Sequence, residues 1–340
     1  MNFEDVRLKA KENIGLYCKA CKVCNGIACK GVIPGPGAKG SGEVFVRNYD
    51  QLRKVKIEMD TIFEEGDIDP SLEIFGKKFN IPVFAAPIGG VQIHYKDIYD
   101  DRTYTEAIVK GCVKAGISGF TGDGEKEEVF QGTIDAIKSV NGMAIPTIKP
   151  WKKEEVKRKL RLAEESGAFA VAMDVDAAGL SILGKFGKVV NPLSTADLKE
   201  IISETDLPFI IKGVMTVKGA IKAYEAGASG IVVSNHGGRV LDDTPSTIEV
   251  LPEIVKAVGG KLKIFIDGAF RSGNDVFKAI ALGADAVLIG RPFAVAVYGA
   301  DEEGVELYSN KIAKELIDVM KMTGTYTLND ISEKDVRIVK

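Results

Sequence analysis

Apolar positions along the chain follow two spacings. From about residue 80 onward, eight short runs are apolar without alternation: PVFAAP from Pro82, ISGFTG from Ile117, MAIPTIKP from Met143, FAVAMDVD from Phe169, PFIIKGV from Pro208, GIVVSN from Gly230, KIFIDGA from Lys263 and AVLIGRP from Ala286. Gly, Pro or Asp bounds each of them, and a short apolar run so bounded reads as a strand buried on both faces, hence as part of a parallel sheet. Between them lie segments of helical spacing, among them TEAIVKGCVKAG, EEVKRKLRLAEESG, TVKGAIKAYEAGASG and GNDVFKAIALGADA. Several close at a glycine suited to a left-handed helix cap. AYEAGASGIVVSN and AIALGADAVLIGR repeat one passage from helix through a tight turn into a strand. Eight such units predict an α/β chain forming a closed (β/α)8 TIM barrel, whose active site lies at the carboxyl ends of the strands. A doubly wound open sheet is the alternative, and it rarely has eight units so even.

The pattern is different before residue 80. A cysteine-rich stretch is followed by a Gly/Pro loop, GVIPGPGAKGSG, and then by about 35 residues reading as a helix and short strands. Residues 1–80 are thus expected to form a cysteine-containing extension that caps the barrel, and residues 81–340 the barrel itself. The glycine-rich AAGLSILGKFGKVVNP from Ala177 is expected to be a loop over the barrel mouth, suited to act as a mobile lid.

Composition narrows the class of partner. The 340 residues are 45% apolar and 27% charged with a formal net charge of -3, and acids and bases are interspersed, so there is no electrostatic basis for nucleic acid or a membrane surface. A small molecule is the expected partner. No apolar run approaches the length that spans a bilayer and the first residues lack a signal-peptide core, so the expected location is the cytoplasm. In that reducing compartment, four cysteines of five within Cys18–Cys29 favour metal binding or redox chemistry over a disulfide.

The predicted strand ends carry the chemistry. SNHGGR puts Ser234, His236 and Arg239 at the end of the sixth strand, where an imidazole can take a hydroxyl proton and a guanidinium can grip a carboxylate. Lys212 closes the fifth strand and needs an anion nearby, because an unpaired buried ammonium is costly. After the seventh and eighth strands, Gly268, Ala269, Arg271, Gly290 and Arg291 combine small residues, backbone N–H groups and two guanidinium groups, as a phosphate site requires. His94, after the first strand, falls at the same mouth, as a substrate contact or as a loop histidine. Trp151, Tyr95, Tyr99 and Tyr104 read as packing.

KGVMTVKGAIKAYEAGASGIVVSNHGGRVLD together with IDGAFRSGNDVFKAIALGADAVLIGRPF resembles the FMN-dependent α-hydroxy-acid dehydrogenase and oxidase family, which includes glycolate oxidase and flavocytochrome lactate dehydrogenase. PVFAAPIG matches more loosely. The resemblance implies FMN at the mouth of the barrel and oxidation of a small 2-hydroxy acid. It makes His236 the base and Arg239 the carboxylate ligand. Lys212 would face flavin N1 and O2, and Ser234 would lie against the flavin. Asp267, Gly268, Ala269, Arg271, Gly290 and Arg291 would hold the ribityl phosphate, while Ala86, Pro87, Ile88 and Gly89 line the ring. Asp174 matches the family's aspartate that supports the catalytic histidine. The family also suggests a homo-oligomer, often a tetramer, and leaves the electron acceptor open.

Several family features are missing. PTIKPW puts Thr147 where the family has a flavin-binding glutamine and Lys149 where it has a substrate tyrosine, so Lys149 is a candidate substrate contact. AMDVDAAGLSILG contains no counterpart of the second carboxylate-binding arginine. Two other readings follow from these gaps. One is an FMN-dependent isomerase of the isopentenyl diphosphate type, with Asp174 and Asp176 as its only acidic cluster. The other is a flavin or metal redox sensor.

The cysteine block, YCKACKVCNGIACKG, has the spacing C-x2-C-x2-C-x4-C. Cys18, Cys21 and Cys24 resemble the ferredoxin run around a four-iron cluster, with Cys29 or the remote Cys112 as fourth ligand. A zinc site of Cys18, Cys21, Cys24 and Cys29 and a set of metal-free thiols remain open alternatives.

Overall fold

The structure, a computed structural model, describes residues 1–180, 183 and 190–339. It begins with helix α1 (Phe3–Asn13), which opens on a reciprocal cap. The Asn2 side chain accepts the Asp5 N–H, the Asp5 carboxylate accepts the Asn2 N–H, and Val6 and Ala10 are buried on one face. Residues 14–42 are turns with a single short 3-10 segment, and they lead into α2 (Glu43–Lys54) and β1 (Val55–Ile57). A hairpin of β2 (Leu72–Ile74) and β3 (Lys77–Phe79) comes next.

All eight apolar runs contain barrel strands: β4 (Val83–Ala85), β5 (Ser118–Thr121), β6 (Ile145–Ile148), β7 (Val171–Asp174), β8 (Phe209–Val214), β9 (Gly230–Val233), β10 (Lys263–Ile266) and β11 (Ala286–Ile289). Every neighbouring pair is parallel, and β11 pairs with β4 to close the ring. Helices fill the connections: α3 (Val91–His94), α4 (Asp101–Lys114), α5 (Glu127–Ser139), α6 (Lys153–Glu165), α7 (Thr195–Ile202), α8 (Val217–Glu225), α9 (Thr247–Val258), α10 (Gly273–Ala281) and α11 (Arg291–Lys321). A last strand, β12 (Val336–Ile338), pairs antiparallel with β1 and ties the end of the chain to its first 80 residues. Half of the expected lid, residues 181, 182 and 184–189, lies outside the described residues.

Alternation along each strand builds two cores. Phe84, Phe120, Ile145, Ala172, Ile210, Val232, Phe265 and Leu288, one from each strand, are buried together inside the barrel. Phe79, Leu72 and Ile74 of the hairpin belong to the same cluster and plug its lower end. Their neighbours in sequence, among them Val83, Met173, Ile211, Val233, Ile266 and Val287, pack outward against the helices. Each large apolar side chain so removed from water contributes roughly 1.5–3 kcal/mol. This apolar floor fixes the strand ends above it.

Candidate active site

The same alternation, carried two residues further along each strand, changes from apolar to small or polar. The inward positions become Ala86, Gly122, Thr147, Asp174, Lys212, Ser234, Asp267 and Gly290. All but Ser234 line one cavity at the carboxyl end of the barrel. Ser234 lies beneath it, fully buried, where its Oγ donates to Asp267 Oδ2 at 2.8 Å and accepts the His236 backbone N–H at 3.0 Å.

Lys212 is the electrostatic centre of this layer. Its Nζ lies 3.1 Å from Asp174 Oδ1 and 3.9 Å from Asp267 Oδ2. The anion required by a buried ammonium is therefore present twice. Burial acts against the charge of Lys212, but Asp174, Asp176 and Asp267 outweigh it and raise its pKa. Burial likewise pushes Asp174 upward, yet Lys212, His236 and Lys149 hold it well below the usual carboxylate range. Burial raises Asp176 well above that range, despite Lys212, and the charge of Asp174 adds to the rise. Lys149 Nζ closes the group 3.5 Å from Asp174 Oδ2.

His236 Nδ1 lies 3.1 Å from Asp176 Oδ1 and 3.5 Å from Asp174 Oδ1. Its nearer partner is thus Asp176, two residues beyond the one expected from sequence, because Asp174 points inward to Lys212. Residues two apart on a strand share a face, but the chain leaves β7 at Asp174 and turns into a 3-10 segment, which brings Asp176 to the ring. Burial and the charge of Lys212 lower His236 to about 3. The ring is therefore neutral near pH 7, and with Nδ1 held by the carboxylates, Nε2 keeps the lone pair that can accept a proton. Among the described residues, Asp174, Asp176 and His236 are the one grouping of three ligand-type side chains with atoms within 4.8 Å of each other. Lys212 already supplies the cation there.

The other wall comes from the Gly/Pro loop. Arg239 Nη1 donates to Gly35 O at 2.7 Å and to Gly37 O at 3.0 Å. Arg291 Nε donates to Pro36 O at 2.6 Å, and its Nη2 reaches Gly37 O and Gly237 O at 3.2 and 3.1 Å. Its guanidinium also stacks on Phe45, 3.8 Å from the ring centroid. Arg291 thus pins the loop to the barrel while lining the same cavity. The two glycines between His236 and Arg239 make room for this contact. Gly237 and Gly238 have φ of +60° and +81°, and a Cβ on them would come within 2.5 Å of Arg291 Nη1 and 2.8 Å of Ala38 Cβ. His236 itself has φ 56°, an uncommon conformation for a side chain larger than glycine.

His94 sits against this wall. Its Nδ1 accepts the Gly35 N–H at 3.2 Å. Burial, reinforced by Arg239 and Arg291, lowers its pKa to about 3, so it too is neutral and carries its one ring proton on Nε2. That nitrogen lies 3.2 Å from Arg239 Nη2. Burial and the neighbouring Arg291 lower Arg239 only to about 10, and it stays cationic. Two N–H donors therefore meet without an acceptor, and a carboxylate oxygen beside them would take both hydrogens.

Further round the mouth, Thr147 Oγ1, Asp267 Oδ1 and Arg271 Nη2 are buried without a hydrogen-bond partner. All three residues line the cavity, with Ala86, Pro87, Ile88 and Gly89 on one side and Gly268 and Ala269 on the other. Such orphaned groups are what a polar ligand would satisfy. Trp151 lies outside this chemistry, its indole donating to Asp123 Oδ2 at 2.6 Å.

Cys18, Cys21, Cys24 and Cys29 are partly buried and all line a second cavity, of about 920 Å³, under the N-terminal turns. Cys112 does not join them. It is fully buried in α4 against Gly119 of β5, in the packing between helix and barrel, which removes it as a remote ligand. Sequence reasoning missed the loop carbonyls of Gly35, Pro36 and Gly37. The only available signal was the loop's Gly/Pro composition, which marks a turn and not its contacts.

Comparison with known proteins agrees with this geometry. The family model described as FMN-dependent dehydrogenase matches residues 36–185 and 185–338. A peroxisomal (S)-2-hydroxyacid oxidase of Arabidopsis thaliana, GLO3, is 30% identical over 325 residues, covering 85% of this chain and 87% of that protein. L-lactate oxidase of Lactobacillus jensenii is 31% identical over 299 residues, covering 79% of this chain and 72% of the relative. Among solved structures, a mandelate oxidase with 3,3-difluoro-2-hydroxy-3-phenylpropionic acid superposes with a TM-score of 0.81 at 25% identity, covering 100% of this chain and 99% of the other. A mandelate oxidase variant with a monooxide FMN adduct gives 0.76 at 27% identity, with 98% of each chain covered.

Proposed function

The chain belongs to the FMN-dependent dehydrogenase family, and on that premise we propose that it oxidises a small 2-hydroxy acid, of the lactate or glycolate kind, to the 2-oxo acid. The observation that carries this reading is one cavity with two unlike walls. A neutral imidazole backed by carboxylates stands on one, and a guanidinium with an unshared N–H neighbour on the other. A 2-hydroxy acid needs both, a base for its hydroxyl and a cationic clamp for its carboxylate.

In this reading His236 accepts the hydroxyl proton at Nε2 as the α-hydrogen leaves. Asp176 orients the ring, and the ionised Asp174 carboxylate, 3.5 Å from Nδ1, offsets the imidazolium charge that forms. Arg239 and His94 hold the substrate carboxylate, so that His94 takes over part of the work of the missing second arginine. Lys149, 3.5 Å from Asp174 and on the cavity wall, adds positive charge beside them.

The residues present fit FMN. Lys212, Thr147, Asp267, Gly268, Ala269, Arg271 and Arg291 would hold it, with Ala86–Gly89 and Gly290 along its edge and Ser234 fixing Asp267 from beneath, and the orphaned atoms of Thr147, Asp267 and Arg271 supply polar partners. When bound, FMN supplies the acceptor for the two electrons of the oxidation. The four N-terminal cysteines are read as holding a metal centre apart from the flavin. The protein is read as a homo-oligomer of the cytoplasm, and among the described residues no helix is long and apolar enough to cross a membrane.

The test is anaerobic addition of 2-hydroxy acids, one at a time, to purified protein. Bleaching of the flavin band by one of them supports the reading. A preparation that binds no FMN, or one whose flavin no 2-hydroxy acid bleaches, overturns it.

A further inference from the structure

We propose that Cys18, Cys21, Cys24 and Cys29 ligate a four-iron, four-sulfide cluster that carries electrons from the flavin site to an external one-electron acceptor. The electron source rests on the FMN reading above, whereas the ligand set does not.

Three observations lead there. All four cysteines line one cavity of about 920 Å³, far more room than a lone ion needs. Zn–S bonds near 2.3 Å would draw four thiolates to roughly 3.8 Å from each other. Among the described residues, however, the only ligand-type grouping within 4.8 Å is that of Asp174, Asp176 and His236. No three of the four sulfurs therefore lie all within 4.8 Å of one another, a wider setting than a single zinc ion gives and one that leaves room for a cubane between its ligands. The spacing supplies three ligands from C-x2-C-x2-C, and the turn through Gly26 (φ 91°) returns Cys29 to the same cavity as the fourth.

The third observation is where the cavity lies. Arg271, Arg291 and Pro36 line it, and the same three residues line the active-site cavity, so the two spaces share a wall. Arg271 bridges them directly. Its Nε donates to Cys24 O at 3.1 Å, while its Nη2 is buried without a partner. Arg7 and Arg53 also line the cysteine cavity, and a cluster with four thiolate ligands carries net negative charge that these cations would offset. Oxidation of one 2-hydroxy acid releases two electrons and two protons. The cluster takes the electrons singly and hands each to a one-electron carrier, while both protons leave to solvent.

The experiment uses the full chain purified without oxygen, with iron, acid-labile sulfide, zinc and FMN measured per chain. The expected result is about four iron and four sulfide per chain, with a paramagnetic signal after dithionite reduction that relaxes faster than a flavin radical. Cys24→Ser should lose at least about half of the iron with FMN retained, and Cys112→Ala should keep all of it. One zinc per chain without sulfide, or thiols that all titrate as free in metal-free protein, overturns the cluster. Iron loss from Cys112→Ala overturns Cys29 as fourth ligand. If Cys24→Ser does not fold, the metal and sulfide content of the unaltered chain still decides. Bleaching by a 2-hydroxy acid without iron leaves the hydroxy-acid reading standing and removes the cluster. Iron and sulfide in a chain that never bleaches does the reverse.

Discussion

The two histidines of this chain line the same cavity, are both depressed to about 3, and have opposite surroundings. His236 stands against Asp176 and the ionised Asp174, so protonation there is met by the negative charge of Asp174. His94 stands against Arg239, so protonation there adds a cation to a cation. Similar pKa values therefore conceal different capacities. One ring is built to receive a proton during a reaction and the other to remain an N–H donor throughout. What a buried histidine can do is set less by how far its pKa moves than by the sign of its neighbours.

The sharpest way to break this comparison is to remove the base. His236→Ala should lower flavin reduction by a 2-hydroxy acid about 10³- to 10⁴-fold, near the upper end for a general base, with FMN still bound. Stopped-flow bleaching measures it, and survival of the rate would dismiss His236. Next comes its orientation. Asp176→Asn should slow reduction by about 10²-fold. Asp174→Asn should slow it less but lower the melting temperature, because Lys212 loses its nearest partner. The reverse order of rates would return the supporting role to Asp174, where the sequence motif placed it.

On the clamp side, Arg239→Lys removes the two-pronged donor and should raise KM roughly 10- to 100-fold, with a smaller change in kcat. His94→Ala should raise KM about 5-fold, in line with one neutral hydrogen bond, and His94→Gln should recover most of that by keeping a donor. An equal fall in kcat for His94→Ala would make it a participant in the chemistry and erase the contrast with His236.

The smallest effect concerns pH and stability. Both histidines titrate near 6.5 when unfolded and near 3 when folded, so the unfolded chain binds protons that the folded chain does not. The stability they contribute is fully present above about pH 6.5 and is lost as pH falls from there toward 3. Melting temperatures should drop by about 4 °C per pH unit across that window, about 2 °C from each histidine, and His94→Gln should halve the slope.

The fold was legible because its signal is local. Eight buried strands must be apolar over their whole length, and each of the eight runs holds its strand. The inward polar layer could be read for the same reason, since Lys212, Ser234 and Asp267 follow Ile210, Val232 and Phe265 by one period of alternation. Asp176 was harder to assign, because it lies past the end of β7, where periodicity no longer tells direction. The contacts of Arg239 and Arg291 could not be read at all. Their acceptors in the loop are backbone carbonyls 202 to 255 residues away in sequence, and a carbonyl carries no residue identity.

That last point bears on how the site can vary. Gly35, Pro36 and Gly37 hold the two arginines through main-chain oxygens, so what matters in these residues is where their backbone runs. At the two glycines that path leaves no space for a side chain: Gly35 has φ +126° and a Cβ there would come 2.8 Å from Tyr17 Cβ, and a Cβ on Gly37 would come 2.3 Å from Cys29 O. Alanine at either position would push the oxygens off the guanidinium groups, and a single inserted or deleted residue between Ile33 and Ala38 would shift every oxygen at once. The heritable variation to which this substrate wall is exposed thus includes loop length and any side chain at its two glycines.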